Sequence, residues 1–449
     1  MKSVYVKTLG CKVNTFDSHA LENQFKKSGY KLVNQAEQAD ITVINTCSVT
    51  SVAEKEARYL LRRYKRENPD SFRVVTGCYA QIDSATIAQM GEVDFIVPNE
   101  AKERLVPLLE ARLGSDEAAT KFPKDLKQVK NNKQSHFKSS LTLFDSPKTE
   151  RTRAFLKIQD GCNGFCSYCQ IPYARGASRS VPGEQVVAEA RNLLASGVGE
   201  LVLTGIHIGD YGEDAGPAGE GQALFLELLE ELFTLEGLQR LRISSLEPAE
   251  LTQGLIEKLA QHADKFCDHF HLPLQSGDDR ILRLMNRKYD QKRYLESVAM
   301  IREYFPKAQV SADVIPGFPG EDEQAFSETM AFIKKCGLAS LHVFPYSKRP
   351  NTAAIRMPNH LEVEVIKQRA KELRSLSKEL FKEFAGDFVG KQAQVLWEQY
   401  DQSSGRWLGK TKNYLPVMSE NTFAGAVGQV DQVLLRGFVT EGSMLATKC

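Results

Sequence analysis

Three cysteines within a span of eight residues are the strongest constraint that this sequence carries. Cys162, Cys166 and Cys169 follow a strand-like run at residues 154–159 and have C-x3-C-x2-C spacing. Thiolates this close repel one another unless something binds them. A disulfide would leave one cysteine over, and zinc usually takes four ligands from paired motifs. The spacing therefore favours a 4Fe-4S cluster held by three thiolates, with zinc as the alternative.

The composition is that of a globular protein with several domains. The chain has 449 residues, of which 42% are hydrophobic and 26% are charged, and this length predicts about two to four domains. No apolar run approaches the roughly 18 residues of a membrane span. The first residues run directly into a strand pattern and leave no room for a signal peptide. We therefore expect a cytoplasmic protein with no membrane partner.

The first part of the chain, residues 1–113, alternates strand and helix patterns, which predicts a parallel, flavodoxin-like α/β domain. Cys11, Cys47 and Cys78 each follow one of its predicted strands. Because binding sites of open parallel sheets lie beyond the carboxyl ends of the strands, these cysteines are expected to converge at one edge. Three buried apolar cysteines are the alternative interpretation. A second metal cluster with three protein ligands accounts better for the repeated placement.

Residues 114–147 break this alternation and predict a basic linker, because lysines are interleaved there with Asn, Gln and Ser. Residues 148–380 return to strand–helix alternation, and residues 280–305 within them predict a single amphipathic helix. Six predicted strands are too few to close an eight-stranded barrel, so we expect a partial (β/α)6 barrel with its site at the carboxyl ends of the strands. These strands lie near residues 154–159, 201–205, 241–245, 270–274, 310–315 and 341–346.

The last part of the chain, residues 381–449, predicts a small all-β barrel. A connecting helix at residues 362–384 leads into short β-like runs that glycines separate. Aromatic residues on such barrels can stack on nucleic-acid bases, although several must form the core. The candidates are Phe388, Trp397, Tyr400, Trp407 and Tyr414. The whole chain is therefore expected to be an α/β multidomain protein.

Further candidates for ligand contact lie at the ends of the predicted barrel strands. Thr204 and Gly205 begin a glycine-rich loop, in which backbone approaches a ligand closely. Ser244 and Glu247 follow the third strand, where Glu247 is able to accept a hydrogen bond from a ribose or an ammonium group. Both residues are equally suited to cap the helix that follows. Gln275 lies at the exit of the fourth strand and is expected to face the cavity.

The cysteine spacing, followed by Ile171-Pro172-Tyr173-Ala174-Arg175-Gly176, resembles the radical S-adenosylmethionine (radical SAM) enzymes and, within them, the methylthiotransferase family. The phrases around Cys11, Cys47 and Cys78 are similar to that family's N-terminal domain. The phrases of residues 162–347 are similar to its radical SAM core, and the last part of the chain is similar to its RNA-binding TRAM domain. The resemblance covers nearly the whole chain except the basic linker.

The resemblance implies two 4Fe-4S clusters and two uses of S-adenosyl-L-methionine, as methyl donor and as radical source. Cys162, Cys166 and Cys169 would hold the cluster that cleaves this cofactor. The auxiliary cluster, which carries the sulfur, would be held by Cys11, Cys47 and Cys78. The candidate contacts to S-adenosyl-L-methionine are Thr204, Gly205, Ser244, Glu247 and Gln275.

The phrase Gly10-Cys11-Lys12-Val13-Asn14 resembles the branch of the family that modifies C2 of N6-threonylcarbamoyladenosine at position 37 of tRNA. Enzymes for isopentenyladenosine usually have Gln-Met in place of Lys12-Val13, and enzymes for ribosomal protein S12 usually have Pro-Lys. The resemblance implies the tRNA anticodon stem-loop as substrate and an electron-donor protein of the flavodoxin or ferredoxin type. A non-catalytic zinc RNA-binding protein is the alternative from another class, and it predicts ligands in fours.

Overall fold

The computed structural model describes residues 1–114, 121, 152–215, 219–421, 423–440 and 442–449. The predicted basic linker lies almost wholly outside these residues. Lys121 is described, and its ammonium group donates to the carbonyl oxygens of Ala88 at 2.9 Å and Met90 at 2.7 Å. No helix in the described ranges is long and apolar enough to cross a membrane.

The N-terminal domain is a parallel sheet with helices on both faces. Its strands are β1 (Ser3–Thr8), β2 (Lys31–Leu32), β3 (Ile41–Thr46), β4 (Phe72–Gly77) and β5 (Phe95–Ile96). Its helices are α1 (Lys12–Lys27), α2 (Ser51–Glu67), α3 (Cys78–Ile82), α4 (Ser84–Ala88) and α5 (Leu105–Leu113). The order β2-β1-β3-β4-β5 is the flavodoxin-type order. The predicted fold class is confirmed.

The central strand β3 is buried along its whole length. Ile44 packs with Leu60 and Leu61 of α2 on one face of the sheet. Val43 packs on the other face with residues of α1 and α5, such as Leu21. Because a parallel sheet covered on both faces needs apolar side chains in both directions, this strand is a continuous apolar run rather than an alternating one.

Six parallel strands form the central region in two sheets, β10-β9-β6 and β11-β12-β13. A parallel bridge between Leu241 and Phe266 joins the sheets, and one hydrophobic core extends across both. They form an open barrel with helices outside, which is the predicted partial (β/α)6 arrangement. The elements are β6 (Arg153–Lys157), β7 (Gln159–Asp160), α6 (Ile171–Arg175), β8 (Arg179–Ser180), α7 (Gly183–Ala195), β9 (Glu200–Thr204), α8 (Gly221–Phe233), β10 (Arg240–Ile243), α9 (Gln253–Gln261), β11 (His269–His271), α10 (Asp279–Leu284), α11 (Gln291–Tyr304), β12 (Gln309–Val314), α12 (Glu323–Lys335) and β13 (Ser340–Val343).

The prediction of a single helix over residues 280–305 is wrong, because α10 and α11 are separate helices. Asn286 adopts a left-handed conformation with φ of 61°, which a right-handed helix cannot include. The side chain of Asp290 then accepts from the backbone N–H of Arg293 and begins α11. The break between the helices brings Asn286 and Arg287 to the cysteine loop described below.

The C-terminal strands form a closed barrel after a long helix. The helix is α13 (Val363–Gly386), and the strands are β14 (Gln392–Asp401), β15 (Arg406–Thr411), β16 (Pro416–Ser419), β17 (Val430–Thr440) and β18 (Ser443–Lys448). The barrel order is β14-β15-β16-β18-β17. Leu380 packs in the core of the central region, whereas Phe381 and Phe384 pack against the core of the barrel. α13 therefore changes its packing partner close to its end.

A buried ionic network joins the N-terminal domain to the central barrel. Asp17 on α1 contacts Lys102 at 3.1 Å, Lys157 at 2.7 Å and Arg175 at 3.2 Å. Arg175 also pairs with Asp160 at 2.9 Å. Every one of these side chains is less than a tenth exposed. Water therefore cannot replace a lost partner, and each charge depends on the others.

The network makes stability depend on pH at acidic values. Burial opposes ionisation of Asp17, but Lys102, Lys157 and Arg175 outweigh it and hold the pKa of this carboxyl well below its usual range. In the same way Arg175 outweighs burial at Asp160 and lowers its pKa to about 2. Since both folded-state pKa values lie below the unfolded value of about 4, this stabilisation is complete above about pH 4 and is lost as the pH falls towards 2.

Replacing Asp17 with alanine should lower the free energy of unfolding by about 3–5 kcal/mol, because three buried cations lose a shared acceptor. Urea unfolding at pH 7 measures this loss. Glu296→Ala, which removes a solvent-exposed pair with Lys292 on α11, is the control and should leave the midpoint unchanged. If Asp17→Ala were as stable as the wild type, the network would not join the two domains.

Candidate functional site

Cys11, Cys47 and Cys78, the auxiliary triad, come together at the carboxyl edge of the N-terminal sheet. β1, β3 and β4 are neighbours in that sheet, and each cysteine follows one of these strands directly or after a two-residue loop. Cys47 and Cys78 are buried, whereas Cys11 is exposed at the rim. The three strand ends therefore present their thiols at one place, as the sequence predicts.

Two glycines allow the cysteine loops to meet. A Cβ atom on Gly10 would lie 2.5 Å from the Cβ and 2.6 Å from the Sγ of Cys47. A Cβ atom on Gly77 would lie 2.3 Å from the carbonyl oxygen of Thr46. Both glycines have left-handed φ angles, of 94° and 97°, which glycine adopts without strain. The close approach of the three loops therefore requires glycine at both positions.

Two asparagines tie the auxiliary triad to the central barrel. Asn14 donates to the carbonyl oxygens of Leu9 at 2.8 Å and Thr46 at 2.9 Å, and its own oxygen accepts from Arg175 at 2.6 Å. Asn99 donates to Cys78 Sγ at 3.5 Å and to the carbonyl oxygen of Ala174 at 2.9 Å. The position of this triad is therefore coupled to α6.

The second triad lies in the loop between β7 and α6, immediately before α6, and consists of Cys162, Cys166 and Cys169. The loop wraps around its own sulfur atoms. The N–H groups of Gly164 and Ile171 point at the Sγ atoms of Cys162 and Cys169, at 3.3 and 3.5 Å. Asn286 donates to the carbonyl oxygens of Gly164 and Phe165 at 3.3 and 3.1 Å. These contacts hold the loop open around the thiols.

Arg287 brings a positive charge to the second triad. Its Nη1 donates to Cys166 Sγ at 3.2 Å, and its Nη2 pairs with Glu247. Burial disfavours the charged guanidinium, but Tyr289 and Glu247 outweigh this and hold its pKa well above the usual range. Sequence reasoning missed Arg287, because the residue lies inside the region that was predicted as one helix.

Both triads suit iron–sulfur clusters better than single zinc ions. All six cysteines are free and described, and in neither triad do all three sulfur atoms lie within 4.8 Å of one another. Zinc–sulfur bonds of about 2.3 Å would place tetrahedral sulfur ligands about 3.8 Å apart. Burial first, and then the neighbouring thiols, raise the pKa of Cys47 and of Cys169 to about 12. These thiols must therefore release protons when they bind a metal.

The predicted contacts to S-adenosyl-L-methionine differ in whether contacts within the protein already account for them. Thr204 Oγ1 and Gln275 Oε1 are buried and have no hydrogen-bond partner in the described structure, which is what a ligand-facing acceptor requires. Gln275 also adopts a left-handed φ of 65°. A Cβ atom on Gly205 would lie 2.9 Å from Ile208 and 3.0 Å from Gln159 Oε1. Close packing within the protein therefore explains why this position is a glycine.

Ser244 and Glu247 lie in the segment that follows β10. The alternative that they cap the next helix is wrong, because the cap of α9 is Thr252, whose hydroxyl accepts from the N–H of Leu255 at 3.3 Å. Glu247 instead pairs with Arg287, and Ser244 is buried at the strand end. Glu247 is therefore connected to Cys166 through a single guanidinium group.

A histidine next to the second triad was not identified as a candidate from the sequence. His207 Nδ1 lies 3.8 Å from Cys162 Sγ and 3.0 Å from Asp210, and Nε2 contacts Glu250. Burial disfavours the imidazolium, but hydrogen bonds to Asp210, Cys162 and Glu250 outweigh it and raise the pKa of His207. The glycine-rich loop after β9 thus supplies a histidine that faces the cysteines.

One cavity of about 170 Å³ lies between the two cysteine loops. The loop after Cys47 contributes residues 48–50 to its wall, and the second triad contributes Cys169 with its neighbours. Gln275, Asp313 and Arg349 complete the polar part of the lining. Typical ligand pockets have volumes of roughly 300 Å³ or more, so a bound nucleoside would also extend beyond this space. The cavity is therefore bordered by Cys169 on one side and by the segment that follows Cys47 on the other.

Arg349 forms hydrogen bonds to both walls of this cavity. Its Nη2 donates to the carbonyl oxygen of Ser48 at 2.6 Å, and its Nε donates to Gln170 at 3.0 Å. The guanidinium also pairs with Glu54 of α2. Only 4% of Arg349 is exposed. A single buried side chain therefore connects the auxiliary loop, α2 and the loop of the second triad.

The aromatic residues of the C-terminal barrel divide into core and surface. Trp397 is fully buried and Phe388 nearly so. Tyr400 is 49% exposed, and its ring lies 5.3 Å from the ring of Trp407. Tyr414 instead faces the central barrel, where its ring packs 4.7 Å from that of His269. Tyr400 with Trp407 is therefore the aromatic pair on this barrel that is available for stacking on a base.

Family profiles match the two α/β regions of the chain. The Radical SAM superfamily matches residues 156–333. A second family, described as Uncharacterized protein family UPF0004, matches residues 3–98. The two matches contain the second and the auxiliary cysteine triads, respectively.

Curated relatives match along almost the entire chain. Threonylcarbamoyladenosine tRNA methylthiotransferase MtaB of Bacillus subtilis (strain 168) is 39% identical over 427 residues, which cover 94% of this chain and 91% of that protein. The protein of the same name from Aquifex aeolicus (strain VF5) is 38% identical over 96% of this chain and 100% of its own. A tRNA-2-methylthio-N(6)-dimethylallyladenosine synthase from Syntrophus aciditrophicus (strain SB) is 31% identical over 97% of this chain and 92% of its own.

Solved structures show the same overall arrangement. The radical S-adenosylmethionine methyltransferase TsrM of Kitasatospora setae superposes with a TM-score of 0.57 at 15% identity, covering 79% of this chain and 75% of that one. The radical enzyme OxsB gives 0.51 at 12% identity, covering 85% and 56%. At these identities the likeness concerns the fold alone.

Replacing Arg349 with glutamine should loosen residues 47–50, because Ser48 loses a donor and Glu54 loses its buried partner. Hydrogen exchange of peptides that cover these residues should become at least about tenfold faster. Arg62→Gln, which alters an exposed arginine on the same helix as Glu54, is the matched control. Unchanged exchange in Arg349→Gln would show that the residue does not hold the cavity wall.

Proposed function

The chain belongs to the radical SAM methylthiotransferase family, and on this premise we propose that it methylthiolates C2 of N6-threonylcarbamoyladenosine at position 37 of tRNA. The observation that carries the proposal is that Cys169 of the second triad and residues 48–50, which follow Cys47 of the auxiliary triad, line one cavity. An unactivated aromatic C–H bond requires a radical, and the sulfur donor must then be close to the radical carbon. The names of relatives at 38–39% identity support this choice of nucleoside.

The six cysteines have separate roles in this proposal. Cys162, Cys166 and Cys169 would hold the 4Fe-4S cluster that binds S-adenosyl-L-methionine, and Cys11, Cys47 and Cys78 would hold the auxiliary cluster. When bound, these groups supply the electron for cofactor cleavage and the sulfur that is transferred. With three protein ligands each, both sites leave one coordination position free of protein.

Residues around the second triad would bind and orient S-adenosyl-L-methionine. Thr204 Oγ1 and Gln275 Oε1, which are buried without partners, would accept hydrogen bonds from the methionyl ammonium or the ribose of S-adenosyl-L-methionine. Ser244 lies at the end of β10, next to the end of β9 that carries Thr204, and Glu247 holds Arg287 against Cys166. Gly205 lets the chain pass close to Gln159, whose Oε1 accepts from the N–H groups of Ile206 and His207 at 2.9 Å.

Buried contacts hold the two sides of the reaction space in a fixed relation. Arg349 joins the two cavity walls, and the buried network around Asp17 joins the two domains behind them. Rigid positioning of reactants is worth a large part of a reaction barrier, and an error of about 1 Å can cost about a hundredfold in rate. The proposed chemistry therefore depends on these structural contacts as much as on the ligands.

The macromolecular partners follow from the substrate. The anticodon stem-loop of tRNA would approach the rim where Cys11 is exposed, with Tyr400 and Trp407 available as a stacking surface on the barrel. An electron-donor protein of flavodoxin or ferredoxin type would supply electrons. A tRNA substrate also fits the expected cytoplasmic location.

Other members of the same family define the second candidate function. Relatives at 31–34% identity are named for dimethylallyladenosine, and the ribosomal protein S12 is a further target within the family. Lys12 and Val13 are the residues that favour threonylcarbamoyladenosine. The zinc RNA-binding alternative is wrong, because the chain belongs to a family of enzymes.

Deleting the gene should remove 2-methylthio-N6-threonylcarbamoyladenosine from cellular tRNA and cause the unthiolated nucleoside to accumulate. Mass spectrometry of digested tRNA measures both. Wild-type protein should restore the product and Cys166→Ala should not, while Lys292→Ala on the exposed face of α11 serves as the control variant. If the nucleoside were unchanged in the deletion strain, the isopentenyl nucleoside and ribosomal protein S12 would become the targets to measure.

A further inference from the structure

A cluster of positive charges surrounds Tyr414 inside the central barrel. Tyr414 comes from the turn between β15 and β16, and three cations lie over its ring. Lys410 Nζ is 3.8 Å from the ring centroid, the guanidinium carbon of Arg242 is 4.6 Å away, and that of Arg153 is 5.6 Å away. Burial would raise the pKa of the phenol, but Lys410 and Arg153 outweigh it and lower this pKa to about 8. The side chains around Tyr414 therefore carry mainly positive charge.

Lys12 adds a further charge to this cluster from the N-terminal domain. It is the first residue of α1, and its side chain lies within electrostatic range of Tyr414, Arg242 and Arg153. Lys12 follows Cys11 directly in the chain, so it connects the cation cluster to the loop of the auxiliary triad.

The carboxylates on this cluster do not neutralise it. Glu200 pairs with Arg242 at 2.8 Å, and Glu398 pairs with Arg153 at 2.7 Å. Within the described part of the chain, neither Lys12 nor Lys410 forms an ion pair with a carboxylate. Arg242 Nη2 is also buried without a hydrogen-bond partner. Two lysines of the cluster therefore lack a carboxylate partner, and an anionic ligand would satisfy charges that are normally paired where water is scarce.

A row of polar side chains leads from this cluster to the cavity between the triads. Asp313 lines that cavity and lies 3.1 Å from His271 Nε2. The ring of His271 is 5.2 Å from that of His342, and Lys12 acts electrostatically on His342. Polar side chains therefore connect the lining of the cavity to the cations around Tyr414.

We propose that Lys12, together with the cations around Tyr414, binds the carboxylate on the N6 substituent of the target adenosine. This inference rests on the proposed function, and it identifies the substituent of the adenosine that the site selects. A threonylcarbamoyl group ends in a carboxylate, whereas a dimethylallyl group is a hydrocarbon. A hydrocarbon in this position would leave the cations buried and unpaired, so the same charges that attract one substrate reject the other.

A cycle that combines a variant with a modified substrate tests the contact. Two anticodon stem-loop RNAs are compared, one with N6-threonylcarbamoyladenosine and one with its carboxylate converted to the methyl ester. For wild-type protein, the ester should weaken equilibrium binding about ten- to hundredfold, which is the usual size of a hydrogen bond to a charged group. Lys12→Met should bind the acid as weakly as wild type binds the ester, and should not distinguish the two RNAs.

The matched control is Lys26→Met, which removes an exposed lysine from the same helix and should discriminate between the RNAs as the wild type does. Equal discrimination by Lys12→Met and wild type would overturn the inference. A Lys12→Met variant that instead binds S-adenosyl-L-methionine more weakly without RNA would also overturn it, because the cations would then serve the cofactor. If wild-type protein methylthiolates neither RNA but accepts the dimethylallyl nucleoside, the proposed function itself fails.

Discussion

The rest of the structure depends on the buried contacts that the side chain of Arg175 makes. It follows the second cysteine triad by a few residues and pairs with Asp160 of the same domain, and it reaches across to Asp17 and Asn14 of the N-terminal domain. Asn14 in turn holds the loops of the auxiliary triad. Because these groups are buried, the pairing is both strong and dependent on geometry. One guanidinium thus sets the position of one triad relative to the other.

The cavity between the triads follows from this arrangement. Arg349 closes it from the opposite side by joining Ser48, Glu54 and Gln170. In the proposed reaction, a radical generated at the second triad and sulfur held at the auxiliary triad must reach the same carbon. This requires the two domains to be held in a fixed relation, which the buried ionic contacts provide. The glycines at positions 10 and 77 contribute by letting strand-end loops approach closely enough to share a ligand.

The sequence predicts those parts of the structure that depend on local patterns. Strand order at the N-terminus and the convergence of Cys11, Cys47 and Cys78 follow from alternating elements and from the rule for strand ends. Arg287 and Arg349 were not predicted, because their partners Cys166 and Ser48 lie 121 and 301 residues away. The break at Asn286 was missed for a similar reason, since its contacts with Gly164 and Phe165 depend on the folded barrel.

The central claim is that each triad holds its own iron–sulfur cluster, and counting iron in the anaerobically reconstituted protein tests it most directly. Wild-type protein should contain about eight iron atoms per chain, and the Cys47→Ala and Cys166→Ala variants should each contain about four. Mössbauer spectra should show 4Fe-4S clusters in all three proteins. About four iron atoms in the wild type, or zinc in either triad, would contradict the account.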